Sequence, residues 1–276
     1  MDKIAVLGPE GTFSDDAARR FLKQSGMEAK LKPVYYPTID EAFHMIGKEC
    51  GWGIIPVENT LDGYVQRTLD LLLEMDVSVV GEITIPVQFS FIANTHSLKE
   101  VRKLYVQFKA SGQCRRFIDS LEQIEVMTTQ SNMESYYHAE RGRFGEGAVI
   151  PAHMLSASSA SCKVENVTDA QNNNTRFLVI RAGKQAEPSL SGKIRVLLYV
   201  MPETDSPGLL YGILKDFYEH QVNLASIMSR PTRKDMGTYN FYLELSGDAR
   251  QKVQILAAIE SVAQKHPVKW LGIYSM

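Results

Sequence analysis

Short apolar runs alternate with helical patterns along the first 180 residues, and this alternation constrains the fold more than any other feature. The runs KIAVLG and WGIIPVEN are predicted to be buried strands, and FSDDAARRFL between them carries its apolar residues at helical spacing. Such alternation predicts a largely parallel sheet with helices on both faces. Thr38, Ser97 and Ser131 each precede a glutamate by three residues, which indicates a capping box at the start of three further helices.

The run VSVVGEITIPVQFSFIAN is long enough to cross between two lobes. We expect one crossing near residues 83–91 and a second at the strand near Phe177. The predicted fold class of residues 1–180 is therefore α/β, with two lobes and a cleft between them.

A polar segment, residues 181–193, interrupts this pattern and is interpreted as a linker. After it the predicted order is strand, helix, strand, strand, helix, strand, over residues 194–200, 209–219, 224–230, 239–245, 250–264 and 268–274. This β-α-β-β-α-β order is that of a ferredoxin-like α+β domain. We therefore predict two domains, 1–180 and 194–276, joined by the linker.

Charge and cysteine content exclude several classes of function. A formal net charge of −2 gives the chain no electrostatic reason to bind nucleic acid or an anionic membrane. Three scattered cysteines favour a reducing compartment over a disulfide framework. The start of the chain is interpreted as a strand rather than a signal peptide, and no apolar stretch approaches the roughly 20 residues that span a bilayer. We expect a cytoplasmic protein.

Three polar segments follow predicted strands, at the edge where open α/β sheets bind ligands. They are GPEGTFS at residues 8–14, PVENTLDG at 56–63 and NNNTRFLVI at 172–180. In the first, Thr12 or Ser14 caps a helix whose exposed N–H groups suit a carboxylate or phosphate, although an ordinary strand–helix turn has the same pattern. The shared placement of the three segments favours a binding site.

The other two segments supply the polar chemistry. Glu58 and Asn59 place a carboxylate beside an amide, which can orient a polar substrate; the alternative is a solvated acid and a helix cap. Thr175 offers a hydroxyl and Arg176 a planar charged fork suited to carboxylates, whereas the alternative is a strand-edge threonine and a surface arginine. The six histidines never fall in metal-binding spacing, so no metal is expected.

These segments resemble those of the prephenate dehydratase family. That family carries a Gly-Pro-x-Gly-Thr/Ser-Phe/Tyr-Ser turn, a Pro-Val/Ile-Glu-Asn-Ser/Thr element and Thr-Arg-Phe, and each is present here in order. Residues PGLLYGILKDFYEHQVNLASIMSRP resemble the ligand-binding helix and strand of the family's C-terminal ACT domain. The likeness spans essentially the whole chain. It implies a bilobal, periplasmic-binding-protein-like catalytic domain followed by a ferredoxin-like α+β ACT domain.

The resemblance implies a carbon–oxygen lyase that converts prephenate to phenylpyruvate, water and carbon dioxide in L-phenylalanine biosynthesis, with no cofactor. Thr175 is implied to act on the leaving hydroxyl, with Glu58 as one proton source and Asn59 beside it. Substrate contacts are implied for further residues: Thr12, Phe13, Ser14, Thr60, Ser131, Arg176 and Phe177.

The resemblance also implies an L-phenylalanine effector site and a homodimer or homotetramer. The effector residues are Gly208, Leu209, Leu210, Asn223, Leu224, Ser229 and Arg230. The sequence departs from the family at three places. VQFK at residues 106–109 replaces Ser-His-Pro-Gln, which leaves Lys109 as a substitute anion contact, and Asn132 replaces a threonine. Met228 replaces a glutamate in the effector segment, which weakens the case for feedback inhibition.

Two other functions fit parts of the pattern. A non-aromatising prephenate decarboxylase would keep the 4-hydroxyl, but such relatives lack the threonine found at Thr175. A non-catalytic sensor of a small carboxylate is the other alternative, and the altered segment at residues 106–109 is the feature that favours it.

Overall fold

The computed structural model describes residues 2–185, 188–234 and 236–276, so two residues of the predicted linker, 186 and 187, lie outside the described part. Within it, no helix is both long and apolar enough to cross a membrane. The elements are, in chain order, β1 (Asp2–Leu7), α1 (Phe13–Ser25), β2 (Leu31–Tyr36), α2 (Ile39–His44), β3 (Trp52–Asn59), β4 (Gly63–Tyr64), α3 (Gln66–Glu74), β5 (Val77–Pro86), β6 (Phe89–Ala93), β7 (Lys103–Gln107), α4 (Phe108–Gln113), α5 (Arg115–Asp119), β8 (Glu125–Thr129), α6 (Asn132–Glu140), β9 (Glu146–Pro151), β10 (Cys162–Val164), β11 (Asn174–Ala182), β12 (Lys193–Val200), α7 (Leu209–Glu219), β13 (Asn223–Pro231), β14 (Tyr239–Asp248), α8 (Lys252–Ala263) and β15 (Val268–Ser275).

The first lobe is a sheet with the strand order β2-β1-β3-β11-β5, and β4 pairs with β3. Both of its faces are covered, which is why β1 and β3 are continuous apolar runs. Ile4 and Val6 pack with residues of α1 on one face. On the other face, Ala5 and Ile55 belong to a second cluster that includes residues of α2 and α3.

The second lobe is a sheet with the order β10-β6-β9-β7-β8. Phe91 and Leu104 pack with α4 residues on one face, and Ile92 and Ile150 pack with α6 residues on the other. Ser131 caps α6, because its hydroxyl accepts a hydrogen bond from the Glu134 N–H at 3.1 Å. The predicted helix starts at Thr38 and Ser131 are therefore confirmed, whereas Ser97 and Glu100 form a capping box on a single 3₁₀ turn, Leu98–Glu100.

Both sheets are mixed, so the prediction of largely parallel sheets is wrong in detail. β1 pairs in parallel with β2 and β3, but β11 runs antiparallel to both β3 and β5. The predicted first crossing is found between β5 in the first sheet and β6 in the second. The second crossing lies before β11 rather than within it, because β10 belongs to the second sheet and all of β11 to the first.

The C-terminal part has the predicted β-α-β-β-α-β order, and its antiparallel sheet runs β13-β14-β12-β15. Phe217 of α7 and Val262 of α8 pack on one face of this sheet. The other face carries Tyr199 and Tyr242, which join the apolar cluster of the first lobe. Residue 272 must be glycine at this contact, since a Cβ there would lie 2.0 Å from the Val79 carbonyl oxygen.

Candidate active site

A cleft of about 490 Å³ lies between the two lobes, at the ends of β3, β7 and β11. The first lobe contributes Thr12 and Phe13 at the start of α1, Asn59 at the end of β3, and Thr175 at the start of β11. The second lobe contributes the polar residues Gln107, Lys109, Gln113, Gln130, Ser131 and Asn132. Residues from the three predicted segments and from the second lobe therefore meet in one cavity.

Asn59 fixes the hydrogen bonding of Thr175. The Asn59 side-chain oxygen accepts hydrogen bonds from the backbone N–H groups of Leu61 and Asp62, at 3.0 and 3.1 Å. Its amide nitrogen must therefore face the other way, and it donates to the Thr175 hydroxyl oxygen at 2.9 Å. Since an amide nitrogen only donates, the Thr175 oxygen accepts in this bond and its own proton is left to donate into the cleft.

The second asparagine of the NNN stretch connects the two lobes. Asn173 is fully buried, and its side-chain oxygen accepts from the Asn59 amide at 2.8 Å. Its own amide donates to the Gln113 side chain on α4 at 3.1 Å. Asn173 thus links a residue of the first lobe to one of the second, through the same Asn59 amide that binds Thr175.

The start of α1 forms another part of the cleft wall. The Thr12 hydroxyl caps the helix and donates to the Pro9 carbonyl at 2.9 Å, so it serves the turn as well as the cleft. The Phe13 ring packs edge-on against Phe89 of the second lobe, with centroids 5.4 Å apart. His153 of the second lobe approaches the same turn, with its Nε2 2.9 Å from the Gly11 carbonyl oxygen.

Charged and polar groups of the second lobe face this wall. Lys109 reaches across the cleft to Asp62 of the first lobe, with its Nζ 2.7 Å from the Asp62 carboxylate. Both side chains are about half exposed or more, at 67% and 48%. Asn132 at the start of α6 has a side-chain oxygen that is buried without a hydrogen-bond partner among the described residues. The cleft therefore presents the Lys109 cation to a ligand, whereas the Asn132 oxygen is enclosed beside it.

Five of the predicted site residues do not line the cleft. Glu58 and Arg176 are register partners on β3 and β11, adjacent to Asn59 and Thr175, so strand alternation turns their side chains to the opposite face of the sheet. There the Arg176 guanidinium donates to Glu58, Glu82 and Glu244. The predicted roles of Arg176 as a substrate contact and Glu58 as a proton source are therefore corrected.

The remaining three residues are held away from the cleft by packing or by the backbone. Phe177 is buried in the core of the first lobe against α1 residues. Ser14 is buried in the first turn of α1. The Thr60 hydroxyl is hydrogen bonded to the backbone of Asn174 at 3.2 Å, so it stabilises the loop rather than the cleft. Their predicted substrate contacts are corrected as well.

Known proteins match this chain over the residues that form the cleft. The family model for prephenate dehydratase matches residues 4–185. The chain belongs to the prephenate dehydratase family. It is 35% identical to the bifunctional chorismate mutase/prephenate dehydratase of Aquifex aeolicus, an alignment that covers 99% of this chain and 73% of that protein.

Solved structures agree on the whole-chain fold. The prephenate dehydratase of Staphylococcus aureus is 25% identical, with a TM-score of 0.83 over 99% of this chain and 100% of that one. The prephenate dehydratase of Arthrobacter aurescens, solved in complex with L-phenylalanine, has a TM-score of 0.86 at 24% identity, over 99% of this chain and 90% of that one. The predicted prephenate dehydratase family and a mixed α/β fold are thus confirmed.

The predicted site of this prephenate dehydratase omitted several cleft residues. Gln113 lines the cleft, and the fully buried Asn173 donates a hydrogen bond to it, but neither was among the predicted residues. Tyr64 and Asp62 follow the PVEN element and also line the cleft. Sequence spacing gives no measure of how far a loop folds back, so these residues could be found only from coordinates.

The predicted effector residues lie along α7 and β13. Gly208 precedes α7 with a φ of 89°, a left-handed conformation that glycine adopts without strain, and Leu209 and Leu210 form the first turn. Asn223 donates to the Ser246 hydroxyl at 2.9 Å, and Leu224 packs against the core of this domain. Ser229 lies on the edge strand β13, next to Arg230. The Arg230 guanidinium is not free, since it binds Asp70 of α3 in a bidentate ion pair at 2.8 and 3.0 Å.

Proposed function

We propose that Thr175 donates a hydrogen bond to the departing 4-hydroxyl of prephenate in this cleft. The C4–O and C1–carboxylate bonds break, the electron pair of the carboxylate bond enters the ring, and the products are phenylpyruvate, water and carbon dioxide. The observation that carries the proposal is the bond from the Asn59 amide to the Thr175 oxygen, which leaves the Thr175 proton for the substrate. Positioned proton donation of this kind contributes about 10²- to 10⁴-fold in rate.

A threonine hydroxyl is too weak an acid to supply the proton permanently at neutral pH. We expect Thr175 to stabilise the developing hydroxide by hydrogen bonding, with solvent as the net proton source. The Glu58 carboxylate is bound to Arg176 at 2.9 Å on the other face of the sheet, so a relay through Glu58 has no geometric support.

The two carboxylates of prephenate need cationic or N–H donors. Lys109 is a cation that lines the cleft, and the starts of α1 and α6, at Thr12–Phe13 and Ser131–Asn132, also line it, where backbone N–H groups of a helix suit an anion. We propose that a substrate carboxylate replaces Asp62 as the partner of Lys109. The two lobes would close around the substrate as in periplasmic-binding-protein-like folds, with Lys109 and Asp62 facing each other from opposite lobes.

The direct test is an ultraviolet assay for phenylpyruvate with purified protein and prephenate. We expect turnover without added metal or cofactor. Consumption of prephenate without phenylpyruvate would instead identify a non-aromatising decarboxylase. Binding without consumption would identify a sensor of small carboxylates.

We also propose that residues 194–276 form an ACT regulatory domain, joined by the linker 181–193 to the catalytic domain 1–180. Its β-α-β-β-α-β order supports this, as does the likeness to the Arthrobacter aurescens structure that contains L-phenylalanine. β13 is an edge strand with half-exposed or exposed residues along its length, which suits pairing with a second copy in a homodimer or homotetramer. Phenylpyruvate formation with and without L-phenylalanine, and the mass of the particle in solution, test these two statements.

A further inference from the structure

A cluster of charged side chains, most of them largely buried, joins the strand that carries Thr175 to the C-terminal domain. Arg176 of β11 lies at its centre, with Glu58 of β3 and Glu82 of β5 from the first lobe. Glu244 of β14 and Arg195 of β12 complete it from the C-terminal sheet. The side chains of Arg176 and Glu244 are 9% and 1% exposed, so the contact between the two domains is almost dry.

Glu244 binds Arg176 through both carboxylate oxygens. The Arg176 Nη2 lies 2.7 Å from one oxygen and its Nη1 lies 2.9 Å from the other. Burial opposes both charges, yet the hydrogen bonds and charge of Glu244 raise the pKa of Arg176 above its ordinary value, and those of Arg176 keep the pKa of Glu244 below its own. A planar guanidinium held by two-point bonds has a defined orientation as well as a defined position.

The two-point ion pair between Glu244 and Arg176 holds the residue next to Thr175. The pairing of β11 with β3 shifts register between Arg176 and Phe177, because Val57 of β3 is an extra residue between the partners Glu58 and Pro56. A bulge disrupts the ladder locally and re-aims neighbouring side chains, so β11 is less regularly held on its β3 side here, while its pairing with β5 stays in register from Asn174 to Val179. The bond from Asn59 to the Thr175 oxygen, 2.9 Å long, depends on where this short segment is held.

We propose that Glu244, acting through Arg176, is a positioning residue for Thr175, so that the C-terminal domain keeps the catalytic hydroxyl aimed at the substrate. The proposal rests on the function proposed for Thr175. It assigns to the domain interface a part in each turnover, whether or not an effector is bound.

Two tyrosines provide a matched test within the same sheet. Tyr242 donates to Glu244 at 2.8 Å, and Tyr199 donates to the Leu69 carbonyl of α3, also at 2.8 Å. Both are fully buried, both contact the first lobe, and their ring centroids are 5.4 Å apart. Tyr242→Phe therefore removes a hydrogen bond that supports Glu244, and Tyr199→Phe removes an equal bond that supports only the docking of the domains.

The experiment measures kcat and KM for prephenate in the full chain of wild type, Glu244→Gln, Tyr242→Phe and Tyr199→Phe. We expect Glu244→Gln to lower kcat by about 10- to 100-fold with KM within about twofold, because a small misplacement of a catalytic group is felt in the transition state. We expect Tyr242→Phe to lower kcat by about fivefold, the usual effect of one hydrogen bond. Tyr199→Phe should leave both constants within about twofold, while its thermal midpoint falls about as far as that of Tyr242→Phe.

A double substitution makes the assignment to Thr175 specific. In the Thr175→Ala background, Tyr242→Phe should no longer change the residual kcat, since the group that it positions is gone. Equal kcat values for Tyr242→Phe and Tyr199→Phe would overturn the proposal, as would an effect confined to KM. Wild-type protein that makes no phenylpyruvate would instead reject the proposed function, so the two failures are distinguishable.

Discussion

Lys109 and Asp62 form an ion pair of 2.7 Å that spans the cleft, with one partner on each lobe. An exposed pair of this kind contributes about 1 kcal/mol or less to stability. Since both residues line the cleft, we expect the pair to act in binding rather than in holding the fold together, because the lysine can exchange Asp62 for a substrate carboxylate.

We predict that Lys109→Met raises KM for prephenate about tenfold and changes kcat little, because a charge contact made equally in the bound and transition states affects binding. Steady-state kinetics at two ionic strengths check this, and the variant should show a weaker dependence of KM on salt. Asp62→Asn is the control: it frees Lys109, so KM should stay the same or fall. An unchanged KM in Lys109→Met would mean that other groups hold the carboxylates.

Asn59 sets the direction of the hydrogen bond to Thr175. In Asn59→Asp a carboxylate replaces the donating amide, so the Thr175 proton turns toward residue 59 and away from the substrate. We predict a loss of about 100-fold in kcat, within the usual range for a lost proton-donating group. Asn174→Asp adds the same charge next to Thr175, but its side chain donates to the Asn172 carbonyl rather than to the threonine. Comparable losses in the two variants would show that charge alone is responsible.

Stability should depend on pH through Glu244. Burial opposes its charge, but Arg176 outweighs burial and lowers the pKa of Glu244 in the folded chain below its usual 4.5. Its contribution is therefore complete above about pH 4.5 and is lost as the pH falls through the folded pKa. We predict that Glu244→Gln costs about 3 kcal/mol or more at pH 7, as for other broken buried pairs. Urea unfolding should show an equal cost at pH 7 and pH 5 and a smaller cost at pH 3, and a cost at pH 3 as large as at pH 7 would contradict the assignment.

The effector segment offers another variant. Met228 lies two residues before Arg230 on β13 and packs against the apolar cluster at the domain interface. We predict that Met228→Glu strengthens inhibition of phenylpyruvate formation by L-phenylalanine, since it restores the family's carboxylate at this place. Met228→Leu keeps the apolar contact and serves as the control. Identical inhibition curves for Met228→Glu and wild type would remove β13 from the effector site.

Much of the fold could be predicted from the sequence, because local patterns carry it. The helix Leu209–Glu219 and the strand Trp52–Asn59 were predicted to the residue, since each combines a clear period with a defined end. The return of β11 into the first sheet as an antiparallel strand could not be predicted, because it depends on where two distant segments meet.

The candidate site was predicted in part, and the errors have one cause. Thr175 and Asn59 face the cleft, so their neighbours Arg176 and Glu58 must face away, a consequence of strand alternation that the sequence already contained. The pairing of Arg176 with Glu244, in contrast, could not be predicted from the sequence. Glu244 lies 68 residues further along the chain in another domain, and no local pattern connects the two.

The central claim is that the Thr175 hydroxyl donates to the leaving group. Its most direct test is kcat for phenylpyruvate formation in Thr175→Val, which keeps the shape of the side chain, beside Thr175→Ser, which keeps the hydroxyl. We predict that Thr175→Val loses about 10²- to 10⁴-fold in kcat while it still binds prephenate, and that Thr175→Ser stays within about tenfold of wild type. A Thr175→Val variant that turns over prephenate as fast as wild type would contradict the account.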